Sequence, residues 1–548
     1  MKSLTIISIF FVATTISRGQ VGVTFQLDLD SLIKLELFSS ESNDKVFVAG
    51  SFNNWEGTNY ELKKLPESNI YSGIFKLGNV GDTISYKFVI KKGDYSFWEW
   101  KPDPKNQDNG NRKYKLKTEE NVIPVTCFSH NEYFSYPVIF SKKKLQEDYL
   151  QFRNILETTH PALYDYTEKA VLDSIFDKNF IRIDSDLNFR SFLIQMTEVI
   201  SKVGCGHSSL WIPDDYWKVA PEKLFPLELC ISSNKVFVKG SYDTVQQISV
   251  GSEIVSINGT TMPVLVNKLT SLTSADGFNP SYRLSKVSGN FSVKYALYYG
   301  YPDSFAIEYI PPESQRKMQA NLKPVAKKDI DNAKQSVSKL NFEELEASQT
   351  GILTINSFGY YGQVDMFKKF IDSVFLVINQ NDIKNLVLDV RGNSGGDPFC
   401  ASYLWAYLEP EPLPYFEDHY GKYDTLANPV PKPVNHYKGR LFTLIDGNGF
   451  STTGHFCGLL KYHRVGKFIG SEMGSTYTCT GNATYPPLKN TGIMVGTARV
   501  RRYTAAVKNM NPRRGIMPDY PIEQSQDDII ENRDAIMNFT LNLIKTTK

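Results

Sequence analysis

"RLFTLIDGNGFSTTGHF" (residues 440–456) runs apolar as far as Ile445, meets Asp446, turns through Gly447 and Gly449, and resumes with Ser451 at the start of a helical pattern. A short apolar run closed by glycines reads as a buried strand, so the unit is strand, turn, helix. Ser451 then has two readings. A serine at a helix start can cap it, which contributes about 1 kcal/mol. Alternatively, the turn lifts the hydroxyl clear of a sheet, beside the free N–H groups of the first helical turn where an oxyanion would form.

The neighbouring sequence repeats the alternation. "GILTINSF" (351–358) is a strand, "VDMFKKFIDSVFLVINQ" (364–380) a helix, and "NLVLDVRGNSGGDPF" (385–399) a strand entering a polar, glycine-rich loop. Strands alternating with helices over 349–548 imply a parallel sheet with crossover helices. Upstream, 142–223 is helical, with Leu145, Tyr149, Phe152 and Leu156 at 3–4 spacing. Residues 224–312 return to strands. Residues 22–118 carry short alternating strands between Gly, Asn and Asp turns, the pattern of a small β-sandwich, and 119–141 reads as an extended linker. The fold class is multidomain α+β.

Composition narrows the function. The 548 residues are 41% hydrophobic and 22% charged, enough for several cores. A formal charge of +2 does not suggest a nucleic-acid partner, which would need a basic face. The six cysteines form no CxxC pair, so neither a zinc site nor a disulfide framework is expected. No metal or cofactor is implied. Residues 1–19 read as a secretory signal peptide, with Lys2, an apolar core from Leu4 to Ala13, and the small-x-small site Ser17-Arg18-Gly19. That core is too short to span a bilayer. The expectation is a secreted or periplasmic protein with no stable membrane span after cleavage.

The loop after the second strand holds Asp389, Arg391, Asn393, Gly395 and Gly396. Gly395-Gly396 is free enough to aim a backbone N–H outward, and Asp389 or Arg391 can pin the loop. "DVRGNSGG" followed by "LIDGNGFSTTGHF" resembles the tail-specific protease family, the carboxy-terminal processing peptidases and the tricorn core. "ISKVGCGHSSLWI", with His207, resembles the G-H-[ST] turn of members with a Ser-His centre. "VGSEIVSING" is similar to a turn of PDZ-like domains, and "RRGIMPDYPIE" to the family's closing strand. The resemblance spans about 142 to 548. It implies a helical segment, a PDZ-like domain at 224–312 and a crotonase/ClpP-like catalytic domain at 349–548. It also implies protein or peptide substrates. Ser451 would be the nucleophile and His207 the base, with an oxyanion hole from Gly395, Gly396 and Thr452. His455, one turn after Ser451, is a rival base.

Two departures stand out. Thr476 occupies the place of the lysine that many members use. The glutamate that precedes the closing strand in tricorn-like members is missing from "NMNPRRG", which leaves Glu472 as the nearest candidate for a third catalytic residue. A weak or inactive binding protein on the same fold, recognising peptides or α-glucan, is the alternative.

"KVFVAGSFNNWEG" and "YSFWEWKPDPKNQDNG" resemble starch- and glycogen-binding modules, which implies α-glucan contacts through Trp55, Lys87, Trp98, Trp100 and Asn106. Trp98 and Trp100 alternate with Glu99 and so share one strand face. If that face turns inward, sugar binding fails.

Overall fold

The computed structural model describes residues 20–547 apart from 36, 40, 42, 104–107, 109, 233, 244–247 and 335–339. The expected leader and Asn106 therefore lie outside the described residues. The chain divides into two compact units. One comprises residues up to Val138 together with Asp214–Ala220, and the other Ile139–Pro213 with the chain from Pro221 onward.

In the first unit, the strand Val21–Asp28 buries Val21, Val23, Phe25 and Leu27, as its alternation dictates. It pairs antiparallel with Ile70–Leu77 in full register, Val21 opposite Leu77 and Asp28 opposite Ile70. The strands Lys45–Gly50, Thr83–Lys92, Tyr95–Trp98 and Arg112–Lys115 form the other layer. Glu61–Lys64 pairs with both layers. Phe25 meets Tyr86 edge-on at 5.1 Å in the core between them. The linker reading of 119–141 needs correction, because Glu120–Val122 and Thr126–Cys127 pair in parallel with the first strand. Strands of three and two residues are too short for alternation to show. The helix Asp214–Val219, read from sequence as part of the helical block 142–223, also belongs to this unit and buries Tyr216 completely.

The second unit opens with the helices Lys142–Thr159, Lys169–Ile181 and Phe189–Val203. An antiparallel sheet follows in the order Leu227–Ser232, Lys235–Ser241, Glu253–Ile257, Phe305–Ile310, Met318–Leu322. The helices Met262–Ser271, Pro280–Gly289 and Phe291–Tyr299 lie between its strands in the chain and share its core.

The last block is the predicted α/β layer. Leu340–Leu345 pairs antiparallel with Thr350–Ile355. From there Asn385–Asp389, Arg440–Ile445, Lys467–Gly470 and Tyr520–Pro521 continue in parallel. On one face, the helices Val364–Gln380, Pro398–Leu408 and Thr452–Tyr462 bury a continuous core. Phe367, Ile371, Val374, Phe375 and Ile378 line the inward stripe of the first, each contributing roughly 1.5–3 kcal/mol relative to exposure. The helix Ala535–Thr546 covers the other face. The ends of adjacent parallel strands thus put the Gly395 loop and the Ser451 turn side by side. Among the described residues no helix is long and apolar enough to cross a membrane.

Candidate active site

Ser451 sits directly before the helix Thr452–Tyr462 at φ 56° and ψ −123°. A non-glycine residue there costs on the order of 1–3 kcal/mol, and the side chain makes no capping hydrogen bond. The cap reading fails on that geometry. Asp446 holds the turn, its Oδ1 accepting from the N–H groups of Asn448, Gly449 and Gly392 at 3.0, 3.1 and 3.0 Å. The serine turn and the glycine loop are therefore tied to one carboxylate.

Asn393 ties them again from below. Wholly buried, it donates through Nδ2 to the Ile355 carbonyl at 2.9 Å. Its Oδ1 accepts from Gly395 N–H at 2.9 Å and Thr453 Oγ1 at 2.8 Å. Arg391 clamps Asp389 and also Asp534, which caps the helix Ala535–Thr546. Gly395, at φ 101°, packs so closely that a Cβ would lie 2.8 Å from Ser451 Cβ. Gly396 is at φ 144°, and a Cβ there would lie 2.1 Å from the Phe358 carbonyl carbon. Only glycine fits either place.

One of the expected oxyanion donors must be revised. The Gly395 N–H is spent on Asn393. Among the described residues the N–H groups of Gly396 and Thr452 have no intramolecular acceptor, and Thr452 Oγ1 donates to the Gly396 carbonyl at 2.6 Å. Those two N–H groups are the pair left beside Ser451.

His207 arrives from another part of the chain. Gly204, at φ 69°, ends the helix Phe189–Val203. Two residues past His207, the strand Ser209–Trp211 pairs antiparallel with Met494–Gly496. This places His207 Nε2 3.3 Å from Ser451 Oγ, with the imidazole against the Phe450 ring at 4.7 Å. Burial, and then the His160 imidazole, lower the His207 pKa to about 4. His455, the rival base, is instead buried in its helix beside Phe416, its Nε2 3.5 Å from Cys479 Sγ. Burial takes its pKa down to about 3.

Glu472 is not brought to His207. Its carboxylate accepts from Arg514 at 2.9 and 2.7 Å and from Gly515 N–H at 2.9 Å, and it holds that turn. The carboxylate that does come close, Asp276, was missed in the sequence. In "TSADGFNP" it reads as an ordinary turn residue before glycine, and only tertiary docking sets it beside the His207 turn. Asp276 Oδ1 accepts from Gly206 N–H at 2.7 Å. Cys205 Sγ, a ring nitrogen of His207 and a carboxylate oxygen of Asp276 lie within 4.8 Å of one another. As a metal set the three fit poorly. Cys205 Sγ is bonded to Thr480 Oγ1 at 2.8 Å, and burial raises its pKa to about 11, away from the thiolate a metal requires.

Residues 349–522 match the model of peptidase family S41. They form an S41 peptidase domain. Residues 20–106 match carbohydrate-binding module 48, the isoamylase N-terminal domain. No curated protein matches the chain by sequence. Among solved structures, mature CPAF superposes with a TM-score of 0.54 at 13% identity, over 74% of this chain and 97% of that one. Mature CPAF complexed with lactacystin gives 0.54 at 12%, over 74% and 98%. The photosystem II D1 C-terminal processing protease gives 0.37 at 12%, over 70% and 95%, too low to add to the argument. At such identities the likeness concerns the fold. A β-sandwich followed along the chain by an S41 domain is the multidomain α+β architecture expected from the sequence.

In the front module, Trp98 and Trp100 are 39% and 47% exposed while Glu99 is buried against Arg112. The tryptophan face therefore turns outward. Trp98 pairs opposite Val89 and Lys87 opposite Ala49. Phe47, Ala49 and Val89 form a small apolar cluster there, apart from the core between the layers. Trp55 is half-buried in the turn after Lys45–Gly50.

Proposed function

We propose that this chain is a secreted serine peptidase that cuts peptide bonds through a Ser451–His207 centre. The observation that carries the reading is the 3.3 Å approach of His207 Nε2 to a hydroxyl held on a strained strand-to-helix turn. Ser451 Oγ attacks the scissile carbonyl, and His207 takes its proton and returns it to the leaving amine. The N–H groups of Gly396 and Thr452 receive the oxyanion. The block at 224–312 acts as a PDZ-like substrate-recognition domain, and the family resemblance makes the enzyme tail-specific. The leader-like sequence of residues 1–19, Lys2 followed by an apolar core, supports export to a secreted or periplasmic location.

The test is the pH dependence of kcat/KM on an unstructured polypeptide. Neutral imidazole is the active form, so activity rises with pH through the His207 pKa. Burial pulls that pKa below the usual histidine value of about 6.5, toward about 4. The acid limb is therefore expected below the ordinary histidine range. His207→Ala should abolish turnover, while His455→Gln should keep both turnover and limb. Loss of the limb in His455→Gln alone would make His455 the base.

The outward tryptophan face supports α-glucan binding by the front module. In the full chain, Trp98→Ala should weaken binding to soluble α-glucan by roughly ten- to hundredfold, by analogy with base stacking on aromatic rings. Peptidase turnover should be unchanged. Equal glucan affinity in the variant would leave the face as mere surface.

A further inference from the structure

The third member of the catalytic group is absent from the place where the family resemblance puts it, and Glu472 is committed to Arg514. Among the buried polar atoms around His207 that lack a partner are its own Nδ1 and Asp276 Oδ2. Unpaired buried groups are rare enough to need a reason, and these two are complementary in kind. An imidazole whose Nε2 accepts a proton carries its hydrogen on Nδ1, and a carboxylate oxygen accepts it. A carboxylate oxygen of Asp276 and a ring nitrogen of His207 already lie within 4.8 Å.

The segment carrying Asp276 is fixed against the turn that carries His207. Ser274 Oγ donates to the Cys205 carbonyl at 2.7 Å, Gly206 N–H to Asp276 Oδ1 at 2.7 Å, and Gly277 N–H to the Gly204 carbonyl at 2.9 Å. These three hydrogen bonds between residues 274–277 and 204–206 leave Oδ2 as the uncommitted atom.

We infer that Asp276 is the positioning residue of this centre, accepting the His207 Nδ1 proton so that Nε2 stays aimed at Ser451. The inference rests on the Ser451–His207 reading. As Ser451 passes its proton to Nε2, the imidazole becomes a cation. The Asp276 carboxylate stabilises that cation without itself taking the proton. The surrounding groups leave this pair to titrate together. Burial raises the pKa of Cys205, Cys479, Tyr166 and Tyr282, keeping all four neutral. His160 and His455 are lowered to about 4 and about 3. Arg502, the remaining charge, is paired with Asp165. Burial raises Asp276 itself to about 7, against the pull of the Gly206 N–H and Arg502, so the carboxylate and imidazole lose their protons in two coupled steps.

Asp276→Asn tests this, because the amide oxygen can still accept from Gly206 N–H while the charge and the second acceptor are lost. The expected result is a folded protein whose kcat falls about a hundred- to ten-thousandfold with KM within threefold. Its acid limb should move to lower pH, since no anion remains to favour the imidazolium. Asp276→Glu should recover part of kcat. A folded Asp276→Asn enzyme with wild-type kcat and an unmoved limb would overturn the proposal. If that variant fails to fold, the proton spectrum of the wild-type enzyme decides. A far-downfield Nδ1 proton, lost in His207→Ala, supports the pairing, and its absence overturns it. Ser451→Ala run in parallel separates the two readings. If it abolishes turnover while Asp276→Asn does not, only the Asp276 role falls; if it leaves turnover intact, the Ser-His reading falls with it.

Discussion

Ser451→Ala is expected to lower turnover by roughly four to six orders of magnitude while leaving the fold intact. Only the hydroxyl is lost, and with it the hydrogen bond to His207 Nε2. The Cβ stays, so packing against Gly395 is preserved. The midpoint of thermal unfolding should therefore stay near the wild-type value. Ser451→Gly should be just as inactive yet more stable, because glycine tolerates φ 56° and releases strain on the order of 1–3 kcal/mol. Steady-state kinetics and melting curves on the three proteins check both halves. Residual turnover within tenfold of wild type in Ser451→Ala would remove the nucleophile from the account.

Asn393→Leu is expected to have the largest effect on stability among the site substitutions. It fills similar space but strips partners from the Ile355 carbonyl, the Gly395 N–H and the Thr453 hydroxyl. Each buried group left unsatisfied costs about 1–3 kcal/mol, so the loss should reach roughly 3–6 kcal/mol, read as a fall in the denaturant midpoint. Activity should fall beyond the loss of folded protein, because Asn393 fixes the loop that aims the Gly396 N–H. A stability loss below about 1 kcal/mol would mean that the network does not hold the loop.

The parts of this molecule legible in the sequence are those written in local pattern. The strands at 385–389 and 440–445 are buried on both faces, so they read as continuous apolar runs closed by glycine. The positions of Ser451 and Gly396 followed from those runs, since strand ends in a parallel sheet fall at one edge. The outward face of Trp98 and Trp100 was half legible. Alternation put the two together, but which side faced solvent depended on Glu99 finding Arg112 and the Phe88 N–H inside. Asp276 was not legible at all. Its partner Gly206 is 70 residues away, and a turn aspartate before glycine looks the same wherever it docks. Glu472 failed for the opposite reason, being near Ser451 in sequence but drawn to Arg514 and Gly515. The spent N–H of Gly395 likewise could not be read, because one glycine of a pair looks as free as the other until Asn393 takes its hydrogen bond.

The most direct measurement is reaction of the full chain with a serine-directed phosphonate, the adduct mapped by mass spectrometry across a pH series. The account predicts one adduct, on Ser451, forming faster as pH rises through the His207 titration and lost in His207→Ala. An adduct on another residue, or labelling of Ser451 at an unchanged rate in His207→Ala, would contradict it.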